Sequence, residues 1–164
     1  LGANKIFRPL EKAEMVEDLA RWSGGVLKPT MKGLNGIPMC FPGFIDVVYD
    51  TIAKPETLEV AVRVLASRGR LVKSGVHAPG RWEWSPLYFK EITLVGSNAF
   101  GYEEVNGERR HGIEHYLRLA GEGCVDLKPM ITHTFGLSKW QDAFAALGDQ
   151  ATSGAIKVVL EPSK

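Results

Sequence analysis

Two histidines four residues apart are the pair in this sequence that most resembles part of a metal site. On a helix, His111 and His115 would share one face, a spacing at which two imidazoles can bind zinc. The known zinc motif with this spacing also needs a glutamate after the first histidine and a third ligand downstream, and neither is present. Two solvated histidines fit the pattern better, and we predict no metal ligand in this chain.

The other reactive side chains lack the neighbours that catalysis needs. Ser74 follows a lysine and precedes a glycine, without the first glycine of a nucleophile elbow. Glu103 and Glu104 are adjacent in a polar segment, which is typical of solvated surface. Cys40 and Cys124 have no CxxC partner and are far apart, which indicates buried or free thiols in a reducing, cytoplasmic setting. The sequence therefore names no catalytic residue.

Small residues at the ends of predicted strands suggest a binding surface instead. Ser74-Gly75-Val76 and Gly96-Ser97-Asn98 end two strands, and Thr51-Ile52-Ala53 ends a third. Small residues let a flat polar ring approach the main chain. The sequence contains neither a Gly-x-Gly-x-x-Gly fingerprint nor a Walker loop. Plain tight turns are the alternative, but glycines at neighbouring strand ends favour a cofactor cleft.

The elements that position these strand ends form a strand, helix, strand unit. Phe44–Ile52 is apolar and β-branched, as expected for a strand that is buried on both faces. Pro55 suits the first turn of a helix, and Gly69 is predicted to end that helix. Arg70–Val76 follows as a second strand and Glu91–Ser97 as a third. Strands joined by a helix must run parallel, and ligands of such a doubly wound sheet bind beyond the strands' carboxyl ends.

The rest of the chain predicts more helices, a long loop and two further strands. Glu11–Trp22 has an apolar helical face and ends at two glycines. Residues 26–43 contain many glycines and prolines and are predicted to be loop throughout. Ser138 and Gln141 fit a capping box for a helix near the C-terminus. The two strands are Ile131–Phe135 and Ala155–Leu160.

Size and composition exclude several classes of protein. A chain of 164 residues forms one domain, or one domain and part of another, and 45% hydrophobic residues suffice for a core. The net charge of +1 with scattered basic residues excludes a nucleic-acid footprint. No apolar run is long enough for a membrane span. Because the chain starts at Leu1 without a methionine, we expect it to be a piece of a longer protein.

In their order and spacing, these segments resemble the C-terminal half of the medium-chain dehydrogenase/reductase family, the zinc-type alcohol dehydrogenases and their relatives. The segments that carry the resemblance are Leu1–Ala3, Asp46–Asp50, Pro55–Leu58, Gly69–Val72 with Gly75, Lys90–Ser97, Pro129–Phe135 and Gly154–Leu160. Two segments depart from the family pattern. The loop from Val26 to Gly43 is longer than usual, and Tyr102–Arg110 is rich in charge.

The resemblance implies an α/β fold in which a partial Rossmann-type, doubly wound parallel sheet precedes a C-terminal piece of the catalytic, GroES-like domain. Residues 1–98 would end the dinucleotide-binding domain, and residues 99–164 would return to the catalytic domain. The glycine fingerprint and the catalytic zinc ligands would precede Leu1. The chain therefore leaves the choice between NAD and NADP open, and any zinc of the parent protein would bind to residues outside it.

The resemblance also implies contacts with the cofactor. A basic side chain at position 157 could reach the pyrophosphate, although a solvated lysine on an edge strand is an equal alternative. The strand Ile92–Ser97 resembles the one that pairs across a homodimer axis. The implied cofactor-binding residues are Thr51, Ile52 and Ala53 beside the cofactor, Ser74, Gly75 and Val76 near the nicotinamide, Ser97 and Ala99 at the carboxamide, and Lys157.

Two functions follow as hypotheses. In the first, the chain is the C-terminal portion of an NAD(P)-dependent oxidoreductase that moves a hydride between nicotinamide and a small alcohol or carbonyl substrate. The piece alone would be inactive, because the phosphate-binding helix start and the proton-handling groups are missing. In the second, the chain is a non-catalytic, truncated Rossmann-like module for binding or dimerisation.

Overall fold

The computed structural model describes residues 2–8, 11–28, 36–98 and 101–162. The chain divides into two compact units. One comprises Ala3–Ala99, here called the N-terminal unit, and the other comprises Phe100–Lys164 with Leu1–Gly2, here called the C-terminal unit. The assignment of residues 1–98 to a dinucleotide-binding domain and 99–164 to a catalytic domain stays a prediction.

A three-stranded parallel sheet forms the centre of the N-terminal unit. Its strands follow the order β3 (Ile45–Asp50), β4 (Leu65–Lys73), β5 (Thr93–Gly96), and each neighbouring pair runs parallel, as predicted. In the register, Val47 lies opposite Arg70, and Tyr49 lies opposite Val72. The elements of this unit are α1 (Lys12–Ser23), β1 (Leu27–Lys28), β2 (Met39–Cys40), β3 (Ile45–Asp50), α2 (Pro55–Val64), β4 (Leu65–Lys73), α3 (Ser85–Phe89) and β5 (Thr93–Gly96).

Helix α2 supplies the core that supports this sheet. Pro55 begins the helix, as predicted. The apolar face of α2 is at most 7% exposed and packs against Leu65 and Leu71. Trp82, from the segment after β4, packs against the same cluster. The buried residues that α2 contributes to this cluster are Leu58, Ala61 and Val62.

The prediction that the first strand is buried on both faces is wrong. Tyr49 is 71% exposed and Val47 is 43% exposed, whereas Val48, on the other face, packs against the buried clusters. β3 is an outer strand of the sheet, and Val47 and Tyr49 keep their contact with solvent. The β-branched residues therefore predict the strand correctly but not its burial.

The prediction that Gly69 ends the helix is also wrong. α2 ends at Val64 and β4 begins at the next residue. Pairing then jumps from Ile45 opposite Leu65 to Val47 opposite Arg70, so residues 66–69 form a bulge in β4. Gly69 lies in this bulge, where a Cβ atom would meet the Ala66 carbonyl oxygen at 2.9 Å. Gly69 therefore marks the bulge in β4 and not the end of the helix.

The N-terminal helix agrees with prediction and the long loop agrees in part. Gly24 ends α1 with a left-handed φ of 78°. Within the predicted loop of residues 26–43, Leu27 pairs with Cys40 and Lys28 with Met39 as a short antiparallel ladder. That part of the loop prediction is wrong, and residues 29–35 lie outside the described residues.

The C-terminal unit consists of a hairpin and a helix, followed by a parallel strand pair and two helices. β6 and β7 pair antiparallel, and β8 and β9 pair parallel. The strands predicted at Ile131–Phe135 and Ala155–Leu160 correspond to β8 and β9. The elements of this unit are β6 (Tyr102–Val105), β7 (Glu108–His111), α4 (Gly112–Gly121), β8 (Ile131–Gly136), α5 (Trp140–Gly148), α6 (Gln150–Ser153) and β9 (Lys157–Glu161).

The capping box predicted for the last long helix is wrong. A short 3-10 turn, Leu137–Lys139, takes up Ser138, and α5 begins afterwards at Trp140 without a side-chain cap. Because Ser138 lies inside this 3-10 turn, it does not occupy the N-cap position of α5.

Candidate functional site

The carboxyl ends of the three parallel strands meet at one edge of the sheet. The Asp50 carbonyl oxygen accepts hydrogen bonds from the amides of Ser74 at 3.0 Å and Gly75 at 3.1 Å. On the other side of β4, the Ser97 amide donates to the Lys73 carbonyl oxygen at 2.9 Å. The main chain thus joins the three segments that the sequence singled out.

Gly75 brings two of these segments into direct contact. A Cβ atom at this position would lie 2.5 Å from both the carbonyl oxygen of Thr51 and the amide nitrogen of Ile52. Both neighbours are backbone atoms, so a larger residue would displace the strand ends. Lys73 holds the same turn from the side, since its Nζ donates to the Gly75 carbonyl oxygen at 3.0 Å. The glycine is therefore part of how the edge is built.

Asp50 shapes the segment that follows β3. Its Oδ1 accepts hydrogen bonds from the amides of Ile52 at 3.0 Å and Ala53 at 2.8 Å, and its Oδ2 accepts one from Thr57 Oγ1 at 2.8 Å. Ala53 has a φ of 62°, a left-handed conformation that costs free energy in a residue other than glycine. We attribute the retention of this conformation to the two hydrogen bonds that the buried Asp50 carboxylate accepts from backbone amides.

Sequence reasoning missed Asp50 as a site residue. A signal for it was present, because an aspartate at the end of a strand commonly accepts bonds from the amides two and three residues later. The same signal predicts the turn at Thr51 to Ala53, which its place at the end of a parallel strand also singles out.

The surface at this edge is apolar and open. Val76 is 93% exposed and Ile52 is 51% exposed, although both are aliphatic side chains. Beside them, a Cβ atom at Gly96 would meet nothing within 4 Å. The side chains of Ser74 and Ser97 are exposed as well. Exposed aliphatic groups beside open main chain fit a flat aromatic ring that carries a polar substituent.

Two further predicted cofactor residues are Ala99 and Lys157. Ala99 lies outside the described residues, so its predicted role stays a prediction. Lys157 begins β9 in the C-terminal unit, opposite Ile131, and its side chain is exposed. Its predicted contact with a pyrophosphate stays a prediction too.

The buried charged side chain of Lys90 bonds to the end of α2 and not to the strand ends. Lys90 is fully buried, and its Nζ donates to the carbonyl oxygens of Arg63 at 2.7 Å and Leu65 at 2.8 Å. Burial lowers the pKa of Lys90 to about 8, with opposing contributions from Cys40, which raises it, and Arg63, which lowers it. Burial also raises the pKa of the Cys40 thiol. These bonds cap the end of α2, so the role of Lys90 is structural.

A second buried charge, Arg63, is paired by Glu83. Its Nη2 lies 2.5 Å from a Glu83 carboxylate oxygen, and its Nη1 donates to the Glu59 carbonyl oxygen at 3.2 Å. Arg63 is 1% exposed, so its charge requires this partner. The Arg63–Glu83 pair links α2 to the segment between β4 and α3. It lies outside the strand-end cluster.

His111 and His115 have different structural tasks. His111 caps α4, where its Nδ1 accepts a hydrogen bond from the Ile113 amide at 3.2 Å. His115 is buried, and its Nε2 donates to the Glu103 carbonyl oxygen at 3.1 Å. Across the part of the chain that the structure describes, no group of three His, Cys, Asp or Glu side chains could hold a metal ion. Among the same residues, no helix has the length and apolar character of a membrane span.

Most of the sequence matches one known protein family. A model for zinc-binding dehydrogenases matches residues 1–110, which is more than half of the sequence. The chain belongs to the zinc-binding dehydrogenase family. The match includes the whole parallel sheet and the strand-end cluster, and it confirms the resemblance to zinc-type alcohol dehydrogenases.

One relative of the chain is a zinc-type alcohol dehydrogenase-like protein. The chain is 30% identical over 105 residues to an uncharacterised zinc-type alcohol dehydrogenase-like protein, YdjL, of Escherichia coli strain K12. That alignment covers 63% of this chain and 26% of the relative.

Solved structures confirm the fold. The structure of 2R,3R-butanediol dehydrogenase from Bacillus subtilis matches 90% of this chain and 35% of its own, with a TM-score of 0.62 and 19% identity. A short chain alcohol dehydrogenase from E. coli CFT073, solved with NADH, matches 69% of this chain and 31% of its own, with a TM-score of 0.55 and 20% identity. The predicted α/β class with a Rossmann-type parallel sheet is confirmed. The chain spans about a quarter to a third of the length of these proteins.

Proposed function

We propose that this chain is the C-terminal portion of an NAD(P)-dependent oxidoreductase that transfers a hydride between nicotinamide and a small alcohol or carbonyl substrate. The observation that carries the proposal is the strand-end cluster, in which the carbonyl oxygens of Asp50 and Lys73 join three segments beside an open, apolar surface. Membership of the zinc-binding dehydrogenase family and the NADH bound in a protein of the same fold support it.

The nicotinamide ring, when bound, would supply the hydride chemistry, and the protein would orient it. Ile52 and Val76 would contact its face and keep water away from the reacting carbon. The main chain around Gly96 and Ser97 leaves space for the carboxamide group. Asp50 would act as a positioning residue, since it holds Ile52 and Ala53 without lying on the exposed surface.

The phosphates and a catalytic zinc ion fit this chain less well than the nicotinamide. No glycine-rich turn at a helix start is found in the sequence, and the described residues include no three-ligand cluster for a metal. We therefore propose that groups outside residues 1–164 supply those sites. It follows that the 164-residue chain alone has no turnover, and that it binds either cofactor only weakly.

The experiment is a turnover assay and a cofactor titration on the purified chain. Mixed with NADH or NADPH and a panel of aldehydes and ketones, the chain should consume no cofactor. In saturation-transfer NMR at millimolar NADH or NADPH, saturation should pass from the protein to the nicotinamide protons, and Val76→Asp should abolish that transfer while leaving the melting temperature unchanged. Appreciable turnover would contradict the proposed inactivity, and transfer that survives Val76→Asp would contradict the site. A tight dimer that ignores both cofactors would instead favour a non-catalytic module.

We further propose that β5 pairs with its copy in a homodimer. All four residues of β5 are exposed, and the strand forms the other outer edge of the sheet. Because the Ser97 amide bonds to β4 and directions alternate along a strand, Leu94 and Gly96 direct their amides outward. Leu94→Pro would remove an outward donor without breaking a bond to β4. Light scattering should show a dimer for the parent sequence and a monomer for this variant; a monomeric parent would contradict the pairing.

A cytoplasmic setting is part of the same proposal. Neither cysteine is in a disulfide: Cys40 is buried and Cys124 is exposed. An exposed thiol persists most readily in a reducing compartment. Thiol titration of the protein as isolated from cells should find two free thiols, and a disulfide-linked form at Cys124 would argue against this location.

A further inference from the structure

The side chain of Lys73 places a positive charge at the strand-end cluster. Lys73 is the last residue of β4, and its Nζ donates to the Gly75 carbonyl oxygen at 3.0 Å. The ammonium group therefore lies against the turn whose residues Ser74, Gly75 and Val76 are proposed to contact the nicotinamide. The side chains of these three residues are uncharged, so Lys73 supplies the charge of the turn.

No neighbouring carboxylate pairs with this charge. Within the part of the chain that the structure describes, none of the ion pairs includes Lys73. Asp50 lies opposite Lys73 in the sheet register, but its carboxylate accepts its hydrogen bonds from the turn after β3 and from α2. The Lys73 side chain is half-buried, and a partly buried charge is screened less by salt than an exposed one.

A fixed positive charge beside the ring acts differently on the two redox states of a nicotinamide cofactor. The ring is positively charged in the oxidised cofactor and neutral in the reduced one, whereas the phosphates carry the same charge in both. A cation near the ring therefore repels the oxidised form selectively, and a cation that acts on the phosphates changes the binding of both forms alike. The ratio of the two dissociation constants thus reports a charge at the ring.

We propose that Lys73 makes the strand-end cluster bind the reduced cofactor more tightly than the oxidised one. The inference rests on the proposed function and adds the redox state that its site prefers. A ring in van der Waals contact with the Gly75 carbonyl oxygen would lie about 7 Å or less from the ammonium group, since such a contact spans about 3.5–4 Å and the hydrogen bond 3.0 Å.

This distance sets the size of the expected preference. Two unit charges about 7 Å apart repel each other enough, even at the dielectric constant of water, to weaken binding by about threefold. Partial burial increases the repulsion. A site that binds the reduced form more tightly also makes the bound oxidised ring a stronger hydride acceptor, so Lys73 would favour hydride transfer from an alcohol to the cofactor.

NMR titrations of the ¹⁵N-labelled 164-residue chain with NAD⁺ and with NADH, at low ionic strength, test this. The readout is the dissociation constant of NAD⁺ divided by that of NADH, followed at the amides of Ile52 and Val76. The ratio should exceed one in the parent chain, and Lys73→Met should lower it by about threefold or more. Lys73→Arg keeps the charge and is the matched control, so its ratio should equal that of the parent chain.

The ratio separates the charge of Lys73 from a structural role, because a disturbed turn would change both dissociation constants by the same factor. If Lys73→Met does not fold, Lys73→Gln keeps a hydrogen-bond donor without the charge and should lower the ratio in its place. An unchanged ratio in these variants, or an equal fall in Lys73→Arg, would overturn this inference and leave the proposed function intact. Binding of neither cofactor at the strand ends would overturn both.

Discussion

Helices α2 and α5 have similar lengths and both pack against parallel strands, yet their apolar residues have different fates. In α2, Leu58 and Val62 are 7% and 0% exposed. In α5, Trp140 and Phe144 are 51% and 63% exposed, and Ala143 is the buried residue of the helix. An apolar stripe at helical spacing therefore identifies a helix but does not establish that anything covers it.

The difference lies in the layers around each helix. α2 is packed by α1, by β3 and β4, and by Trp82 from the segment after β4. α5 packs against β8, β9 and the short helix α6. Beside its two strands, α2 has the 12-residue helix α1, whereas α5 has the 4-residue helix α6. A helix needs a second large partner before its own large side chains leave water, because burial of apolar area stabilises the packing. The N-terminal unit meets that condition around α2, and the C-terminal unit does not meet it around α5.

The largest expected loss of stability comes from truncating a core residue of the N-terminal unit, and it tests the contrast between α2 and the C-terminal unit. Leu71→Ala removes a fully buried side chain beside α2 and should lower the free energy of unfolding by about 3 kcal/mol. Leu117→Ala, in α4, removes a side chain that is 60% exposed and should cost less than about 0.5 kcal/mol. Urea denaturation of both variants measures this, and equal losses would contradict the contrast between the units.

A smaller loss is expected from the strand-end cluster. Asp50→Ala removes a buried carboxylate that accepts three hydrogen bonds and should lower the free energy of unfolding by about 2 kcal/mol. Asp46→Ala, on the same strand but exposed, is the control and should have little effect. Hydrogen exchange should also accelerate at the amides of Ile52 and Ala53 in Asp50→Ala alone. Unchanged exchange there would mean that the carboxylate does not hold this segment.

The smallest effect concerns the cap of α2 and depends on pH. The pKa of Lys90 is lowered from 10.5 to about 8 in the folded protein. Between these values the unfolded chain binds more protons than the folded one, so the free energy of unfolding should rise with pH. The rise should be about 1 kcal/mol per pH unit between pH 8 and 10.5. Above about pH 10.5 both states are deprotonated and the rise should end.

Cys40 opposes this trend, since its raised thiol pKa makes the folded state lose stability as pH rises above 9.0. The measurement is therefore made in a Cys40→Ala background, with and without Lys90→Met. The rise should be absent in Lys90→Met. If that variant does not fold, direct NMR titration of the Lys90 side chain should give a midpoint near 8. A midpoint above 10 would refute the explanation.

Much of the N-terminal unit could be predicted from local chemistry. β-branched residues and the helix start at Pro55 predicted β3, α2 and the parallel pairing, because those signals act over a few residues. The end of α2 could not be predicted, since it depends on Lys90, which is distant in sequence and reaches the Arg63 and Leu65 carbonyls only after folding. The exposure of β3 likewise depends on what lies beside it.

The candidate site shows the same difference between local sequence signals and contacts that form only on folding. Glycines and small residues after the strands predicted the cluster at Ser74 and Gly75, because strand ends of a parallel sheet must meet. Asp50 was missed although its position at the end of a strand is one where an aspartate commonly accepts bonds from the following amides. The resemblance supplied Ala99 and Lys157, and no observation of the described residues brings either to the strand ends.

The central claim is that the carboxyl ends of β3, β4 and β5 bind the nicotinamide end of a dinucleotide. The most direct measurement is an NMR titration of the ¹⁵N-labelled chain with NADH and with NADPH, followed amide by amide. The account predicts saturable shifts at Thr51–Ala53, Ser74–Val76 and Ser97, with unchanged amides in β6 and β7. Shifts confined to other residues, or no shift at millimolar cofactor of either kind, would contradict it.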